Sequence, residues 1–469
     1  MISSSNTALR NWPRYLLVIL GVGALLRLLV WLWFAPLAPQ IDDEMAHVLL
    51  ARNLVVSGDY TFDPSGKPTS LRPPLYPAFI AVVFKVFGGD HYQAVRLIQS
   101  VMSLVTIVLV FRLGRDFFSE KVGIRAAAML CFYPTFIVYN NLMLTETLFS
   151  LLFVAGLSAF ASGLARSSLR ALAFAGLLLG LGALTRSILY PFAPVLAMFL
   201  LVGWRGSVLR RVAAMAAFAI PFAGVLTPWA IRNTQLQGTF IPIDCMGGRN
   251  FMMGNYEHTP LYRSWDAISI QGDREWFQVL VTHRPETVGS TQGQIDKLAL
   301  AEGMRFVREH PQLTFQRDVV KFLDFWGLER ELIAGANRGY FGPIPGLVVA
   351  ILGVAICGSY AMILFAGAFG AALRPMSDVR THLLFLLAIA FICAVHTLIF
   401  AHSRYHLPLI PLIAIYAAAY FTRDAGKLNR RKPGFWVALM FCIVVTGGWI
   451  WNAAAGDLPK ILNIFRGSE

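Results

Sequence analysis

The sequence predicts an all-α polytopic membrane protein with about eleven transmembrane helices and two extracytoplasmic loop regions containing interfacial helices. Three observations carry this. First, 57% of the 469 residues are hydrophobic and only 14% are charged, whereas soluble domains carry about 25% charge. Second, apolar stretches of the roughly 20 residues needed to cross about 30 Å of hydrocarbon recur along the chain. Third, the basic residues segregate to one side of those stretches, as described below.

The first span covers about 15–34. No short apolar core with a small-residue cleavage site precedes it, so it reads as a retained anchor, not a signal peptide. Residues 35–93 follow as one outside loop. It holds the run "IDDEMAHVLLARNL" at 41–54 and the apolar segment "LYPAFIAVVFKVFG" at 75–88. The latter is too short to span and contains Lys85, so it reads as an interfacial or re-entrant helix. Spans then follow at about 94–113, 122–140, 146–165, 170–185, 187–204 and 211–229. Residues 230–342 form the second outside region, with helical patterns near 294–310 and 312–328. Spans at 343–368, 380–400, 405–421 and 434–452 complete the chain. The expected division is a transmembrane catalytic module at 1–229, a loop region at 230–342 and C-terminal helices at 343–469.

With the N-terminus inside, the cytoplasmic pieces contain Arg10, Arg14, Arg112, Arg115, Lys121, Arg125, Arg166, Arg170, Arg205, Arg210, Arg211, Arg374, Arg380, Arg423, Lys427, Arg430, Arg431 and Lys432. Only Asp116, Glu120, Asp378 and Asp424 oppose them, so the whole net charge of +14 lies on one face. That is the positive-inside rule, not a nucleic-acid footprint. Of the five cysteines, Cys131, Cys357, Cys393 and Cys442 sit in apolar segments and only Cys245 in a polar loop, which argues against a disulfide framework or a cysteine metal site.

Several polar residues stand where charge is expensive. Asp42, Asp43 and Glu44 fall at the outer membrane boundary. Two readings fit them: an N-cap with dipole-compensating acids, Asp42 being the better-placed cap, or a carboxylate base at the lipid–water boundary. His47 lies four residues from Asp43 on the same helix face. In "SLRPPLYPAF", 70–79, Arg72 and Tyr76 flank a rigid Pro-Pro hinge. Arg72 is there either to snorkel or to meet a lipid phosphate. Glu146 in "NLMLTETLF", Arg186 in "GALTRSILYPF", and Arg404 with Tyr405, His402 and His406 in "IFAHSRYHLPLIP" each mark an outside mouth. They are either boundary charges or members of one constellation with Asp43. Arg27 lies inside the first span, to pair with a carboxylate or to snorkel. "PWAIRN", with Arg232 and Asn233, and "GGRNFMMGN" open the large loop; sugar or phosphate contacts and ordinary turn chemistry both suit them. Metal spacing is poor: "HSRYH" lacks the glutamate of HExxH. Walker, dinucleotide and GxSxG motifs are absent.

The order of these motifs resembles the GT-C superfamily of membrane glycosyltransferases, specifically the branch holding the protein O-mannosyltransferases and the aminoarabinose transferase of lipid A. The motifs are an acidic pair after the first span, Arg-Pro-Pro-Leu-Tyr-Pro, Thr-Glu and Thr-Arg at span mouths, then Arg-Tyr before Leu-Pro. The resemblance covers 15–230 and 395–415 and is loose over the large loop. It implies that Asp43, with Glu44 completing the Asp-Glu motif, is catalytic, with Asp43 activating the acceptor. It implies that Arg72 meets the donor phosphate; Arg186 and Arg404 are expected to join it. His47 stands where the branch often has Tyr. The implied donor is a polyprenyl-phosphate sugar, transferred with inversion to a lipid, glycan or protein hydroxyl at the periplasmic face of a bacterial inner membrane. No cofactor, metal or nucleic acid is expected. The competing reading is a polytopic transporter or lipid-linked-sugar flippase. No internal repeat supports it, and eleven spans do not halve. The Trp-Trp-Asp-Tyr-Gly motif of oligosaccharyltransferases is absent; "SWDAIS" at 264–269 does not match it.

Overall fold

The computed structural model describes residues 14–257, 259–261, 289–422 and 431–454. Arg10, Arg423, Asp424, Lys427, Arg430 and the segment 264–269 lie outside the described residues. In chain order the helices are α1 (Arg14–Trp33), α2 (Asp42–Val56), α3 (Leu75–Phe87), α4 (Tyr92–Phe117), α5 (Glu120–Cys131), α6 (Pro134–Tyr139), α7 (Glu146–Arg166), α8 (Leu169–Thr185), α9 (Phe192–Gly203), α10 (Val208–Gln237), α11 (Gly247–Gly254), α12 (Gln292–Glu309), α13 (Pro311–Phe325), α14 (Glu331–Asn337), α15 (Gly346–Leu373), α16 (Val379–Leu398), α17 (Ile410–Tyr420) and α18 (Pro433–Asn452). Short 3-10 turns precede α9 and α17, at Ser187–Leu189 and Ser403–Leu409. Among the described residues there are no strands.

Every predicted span carries helix. Among the described residues seven helices are long and apolar enough to cross a membrane: α1, α4, α7, α10, α15, α16 and α18. The other four predicted spans are shorter or interrupted. The stretch 122–140 breaks between α5 and α6 because Pro134 has no N–H to donate and forces its predecessor out of helical geometry. α3 has 13 residues and is therefore about 20 Å long, short of the hydrocarbon thickness. On α1, Leu17, Val18, Leu25 and Leu29 face outward bare, as suits a helix surface solvated by lipid.

Helices lie close where glycine removes the side chain between them. A Cβ on Gly176 of α8 would sit 2.1 Å from the Phe218 carbonyl of α10. One on Gly370 of α15 would sit 2.0 Å from the Tyr416 carbonyl of α17. Buried polar side chains tie other contacts. Arg27 neither snorkels nor meets a carboxylate. Its guanidinium donates to Ser103 Oγ at 3.0 and 3.2 Å and to the carbonyls of Gly23 and Cys131 at 3.1 and 3.2 Å, binding α1 to α4 and to the end of α5. Arg96 donates to the Phe34, Leu37 and Asn141 carbonyls at 2.7, 2.8 and 3.0 Å. It thereby fixes the turn after α1, from which α2 starts, against the turn before α7. These two turns lead into the helix starts that carry Asp43 and Glu146.

Candidate active site

α2 begins one residue earlier than a cap at Asp42 would require. Ile41 occupies the cap position, and the Glu44 side chain satisfies the local amides instead. Glu44 Oε2 accepts from the Ile41 and Gln40 N–H at 3.2 and 3.3 Å, and Oε1 accepts from the Met143 N–H at 2.7 Å. Burial pushes this carboxyl up, and the three amides work against it. Both oxygens of Glu44 are consumed in scaffolding, and the side chain is buried. Asp42 is the first helical residue and not the cap.

Asp43, one step around the helix, points to a cluster of opposite charges. Its Oδ1 accepts from Arg72 Nη2 at 2.8 Å and its Oδ2 from Arg404 Nη2 at 2.7 Å. Arg404 Nε and Arg186 Nη1 both stand 3.2 Å from Glu146 Oε1. The order Arg72–Asp43–Arg404–Glu146–Arg186 thus alternates in sign across five separate segments of the chain. Tyr405 packs under two of the cations, with the Arg186 and Arg404 guanidinium carbons 5.3 and 5.7 Å from its ring centre. Burial works to raise the Asp43 carboxyl, but Arg404 and then Arg72 outweigh it and hold it well below the usual carboxylate range.

The remaining residues singled out from sequence stand behind this cluster. His47 is buried, edge-on to Tyr76 at 5.1 Å. Burial, then the nearby Arg72, pushes its imidazole down to about 3. Tyr76 is fully buried and donates to Gln99 Oε1 at 2.8 Å. Arg232 lies over the Trp229 ring at 4.4 Å and donates to the Thr69 carbonyl at 3.0 Å. Asn233 is fully buried; it accepts from Ser70 Oγ at 2.9 Å and donates to the Ile243 carbonyl at 2.8 Å. These two residues therefore brace the approach to Arg72. Tyr60 fixes the hinge itself by donating to the carbonyls of Arg72 and Pro73 at 3.1 and 3.0 Å. Glu146 is also buried, so it orders the arginines instead of facing an open space.

Two acids near the cluster were not singled out from sequence. Asp244 accepts from the Met246 N–H at 3.1 Å. Burial pushes it up to about 6, against a hydrogen bond with Ser187. Glu331 stands 2.9 Å from His402 Nε2. Neither belongs to a recognisable local motif; the loops that carry them reach the site only through folding. Among the described residues no three His, Cys, Asp or Glu side chains come together as a metal site.

The family model described as dolichyl-phosphate-mannose-protein mannosyltransferase matches residues 71–231, about a third of the chain. No curated protein matches the chain. Among solved structures, the archaeal oligosaccharyltransferase AglB from Archaeoglobus fulgidus, in complex with an inhibitory peptide and a dolichol-phosphate, matches with TM-score 0.51 and 15% identity over 96% of this chain and 56% of that one. The apo form of the Archaeoglobus fulgidus oligosaccharyltransferase matches with TM-score 0.52 and 14% identity over the same shares. ArnT from Cupriavidus metallidurans matches at 14% identity over 86% of this chain and 77% of that one, but its TM-score of 0.39 carries no weight. The chain spans just over half the length of the oligosaccharyltransferase, and identities this low speak for fold alone. The family-model match and the near full-length fold likeness agree with the motif order: the chain is an integral membrane protein of the GT-C fold, similar over residues 71–231 to the dolichyl-phosphate-mannose-protein mannosyltransferases.

Proposed function

We propose that this protein is an inverting glycosyltransferase that moves a sugar from a polyprenyl-phosphate donor to a hydroxyl of a lipid, glycan or protein acceptor. In this reading residues 35–93 and 230–342 lie on the outer face of a bacterial inner membrane, which the one-sided distribution of basic residues supports. The observation that carries the proposal is the alternating cluster around Asp43. Three guanidinium cations face two carboxylates, which leaves one positive charge in excess. A sugar phosphodiester carries one negative charge, and a planar guanidinium suits its oxygens.

In this reading the donor phosphate draws Arg72 and Arg404 toward itself and away from Asp43. Until then Asp43 is a poor base, because both its oxygens are held by cations. Once released, it takes the proton of the acceptor hydroxyl as that oxygen attacks the anomeric carbon. The bond from that carbon to the phosphate oxygen breaks, and the polyprenyl phosphate leaves with a second negative charge. Arg72, Arg186 and Arg404 are placed to stabilise the charge as it develops, which is where electrostatic catalysis counts most. Outside the cytoplasm a nucleotide sugar is absent, so a donor that crosses with its lipid tail suits this orientation.

Mass analysis of lipids and surface glycans from cells with and without the protein tests the proposal. Loss should leave one glycan, lipid or protein short of a sugar while a polyprenyl-phosphate sugar accumulates. An unchanged glycan inventory with lipid-linked sugar trapped on the inner face would indicate a flippase instead.

A further inference from the structure

The stretch "HSRYH" sets Arg404 midway between two histidines, His402 and His406. The function described above uses the arginine and leaves the histidines aside. Each histidine meets a carboxylate, and the two carboxylates, Glu329 and Glu331, lie close together in sequence where α14 starts. We propose that Glu329 and Glu331 are positioning residues for Arg404: with His406 and His402 they form two clasps that hold the backbone of the arginine in place for the donor phosphate. The inference rests on the glycosyltransferase reading above and deepens it.

The inner clasp is dry. His406 is fully buried. Its Nδ1 stands 2.6 Å from the Phe325 carbonyl oxygen, which only accepts, so Nδ1 carries a proton. Its Nε2 stands 3.0 Å from Glu329 Oε1. A further proton lies in that contact, because two bare lone pairs would repel. On the imidazole it makes an ion pair, on the carboxyl a neutral pair, and either way the two side chains carry no net charge together. Thr135 Oγ1 donates to the other oxygen, Glu329 Oε2. The Tyr360 ring stacks on the imidazole with centroids 4.5 Å apart, so the histidine is held from its face as well as from both nitrogens.

The outer clasp is half-buried and acts on Arg404 directly. The Arg404 backbone N–H donates to His402 Nδ1 at 3.2 Å, which caps the 3-10 turn Ser403–Leu409. With Nδ1 accepting, Nε2 is the nitrogen left to donate, and it stands 2.9 Å from Glu331 Oε1. Tyr139 OH donates to Glu331 Oε2 at 3.4 Å. Burial works to raise this carboxyl, but His402, then Arg404 and Tyr139, outweigh it and hold it down to about 2. Together the clasps fix the main chain on both sides of Arg404. Its guanidinium meanwhile reaches Asp43 Oδ2 at 2.7 Å and stands 3.2 Å from Glu146 Oε1. An arginine fixed at its backbone can turn from Asp43 to a phosphate without drifting from either. Such a preorganised donor counts most where charge develops.

The test measures binding of a short-chain prenyl phosphate to the purified full-length chain in detergent. Glu331→Gln and Glu331→Ala remove the same charge, but a glutamine amide still accepts from His402 Nε2 and an alanine does not. The difference between the two variants therefore reads the clasp apart from the charge. Glu331→Ala should bind at least about 10-fold more weakly than Glu331→Gln, the scale of one charge-assisted hydrogen bond to the phosphate lost. Glu329→Leu should fall behind Glu329→Gln in the same way, since a glutamine amide can donate to His406 Nε2 and accept from Thr135. The Glu331 variants decide the matter if Glu329→Leu fails to fold. Combined with Arg404→Gln, the two Glu331 variants should bind within about 2-fold of each other, because a residue that acts through Arg404 then has nothing left to position. Equal binding by Glu331→Ala and Glu331→Gln with Arg404 present overturns the inference. So does a gap that persists without Arg404, which would make Glu331 a brace for the whole site. If the wild type fails to bind prenyl phosphate, or Arg404→Gln binds it equally well, the reading of Arg404 as a phosphate ligand falls, and the positioning role with it.

Discussion

At the scale of single residues, the run Asp42-Asp43-Glu44 divides its work by direction around one helical turn. Successive residues point about 100° apart, so Glu44 turns into the scaffold while Asp43 meets Arg72 and Arg404. Asp43→Asn keeps the shape and removes the basicity. Loss of a general base costs about 10²–10⁴-fold in rate, so turnover by the purified protein should fall on that scale while folding and expression persist. Asp42→Asn should leave turnover near wild type, because Asp42 does not cap α2. Normal turnover in Asp43→Asn would reduce this carboxylate to a tether for arginines. His47 gives a second prediction. Its folded value near 3 lies below the unfolded value of about 6.5. The stability it contributes is complete above pH 6.5 and is lost as pH falls from 6.5 toward 3. Relative to wild type, His47→Gln should therefore gain about 1.4 kcal/mol per pH unit across that window. Paired thermal melts at pH 7 and pH 5 measure the difference, and parallel curves would refute it.

At the scale of elements, the site depends on helix ends brought together by helix packing elsewhere. Arg186 caps the end of α8, and α8 holds its position through Gly176 against α10. Gly176→Val would force its Cβ into the Phe218 carbonyl, and overpacking of this kind costs about 1–3 kcal/mol. The variant should melt at lower temperature and lose donor binding in proportion, because the Arg186 end of α8 moves away from Glu146. Retained melting temperature and donor affinity would show that the α8–α10 contact is slack. α5 and α6 make the same point from sequence: one apolar stretch at 122–140 was expected as one span, yet Pro134 breaks it. The break leaves Thr135 to donate to Glu329 and Tyr139 to donate to Glu331.

For the whole molecule, the one-sided charge makes a topological prediction. Reporters inserted at Gly66 and Gly289 should both register the outside face if α3 lies along the membrane. A disagreement between them would mean that a helix between the two sites crosses differently, and α3 would be the first suspect because it is apolar but only 13 residues long. The loop regions are also bound to each other. Gln292 Oε1 accepts from the Ser70 N–H at 2.9 Å and from Thr69 Oγ1 at 3.1 Å. The Cys245 N–H donates to the Ser70 carbonyl at 2.9 Å. Residues of the 230–342 region thus support the segment that carries Arg72.

The sequence by itself determined the class of molecule and the helical stretches. These are properties of local length, apolarity and charge, which a bilayer reads one segment at a time. It also marked Asp43, Arg72, Arg186 and Arg404, because an ionised group near membrane depth stands out against its neighbours. Only the tertiary structure decided which of the marked residues meet. Asp43 and Arg404 are 361 positions apart, and no local pattern encodes that pairing. The structure likewise turned Glu44, Tyr76, Glu146 and Asn233 into buried braces, since each finds its partners on another element. It brought Glu331 to His402 and near Arg404, a meeting that the sequence does not mark. An acid in an acid-bearing loop is unremarked locally; its ion-pair partner is a histidine 71 residues away.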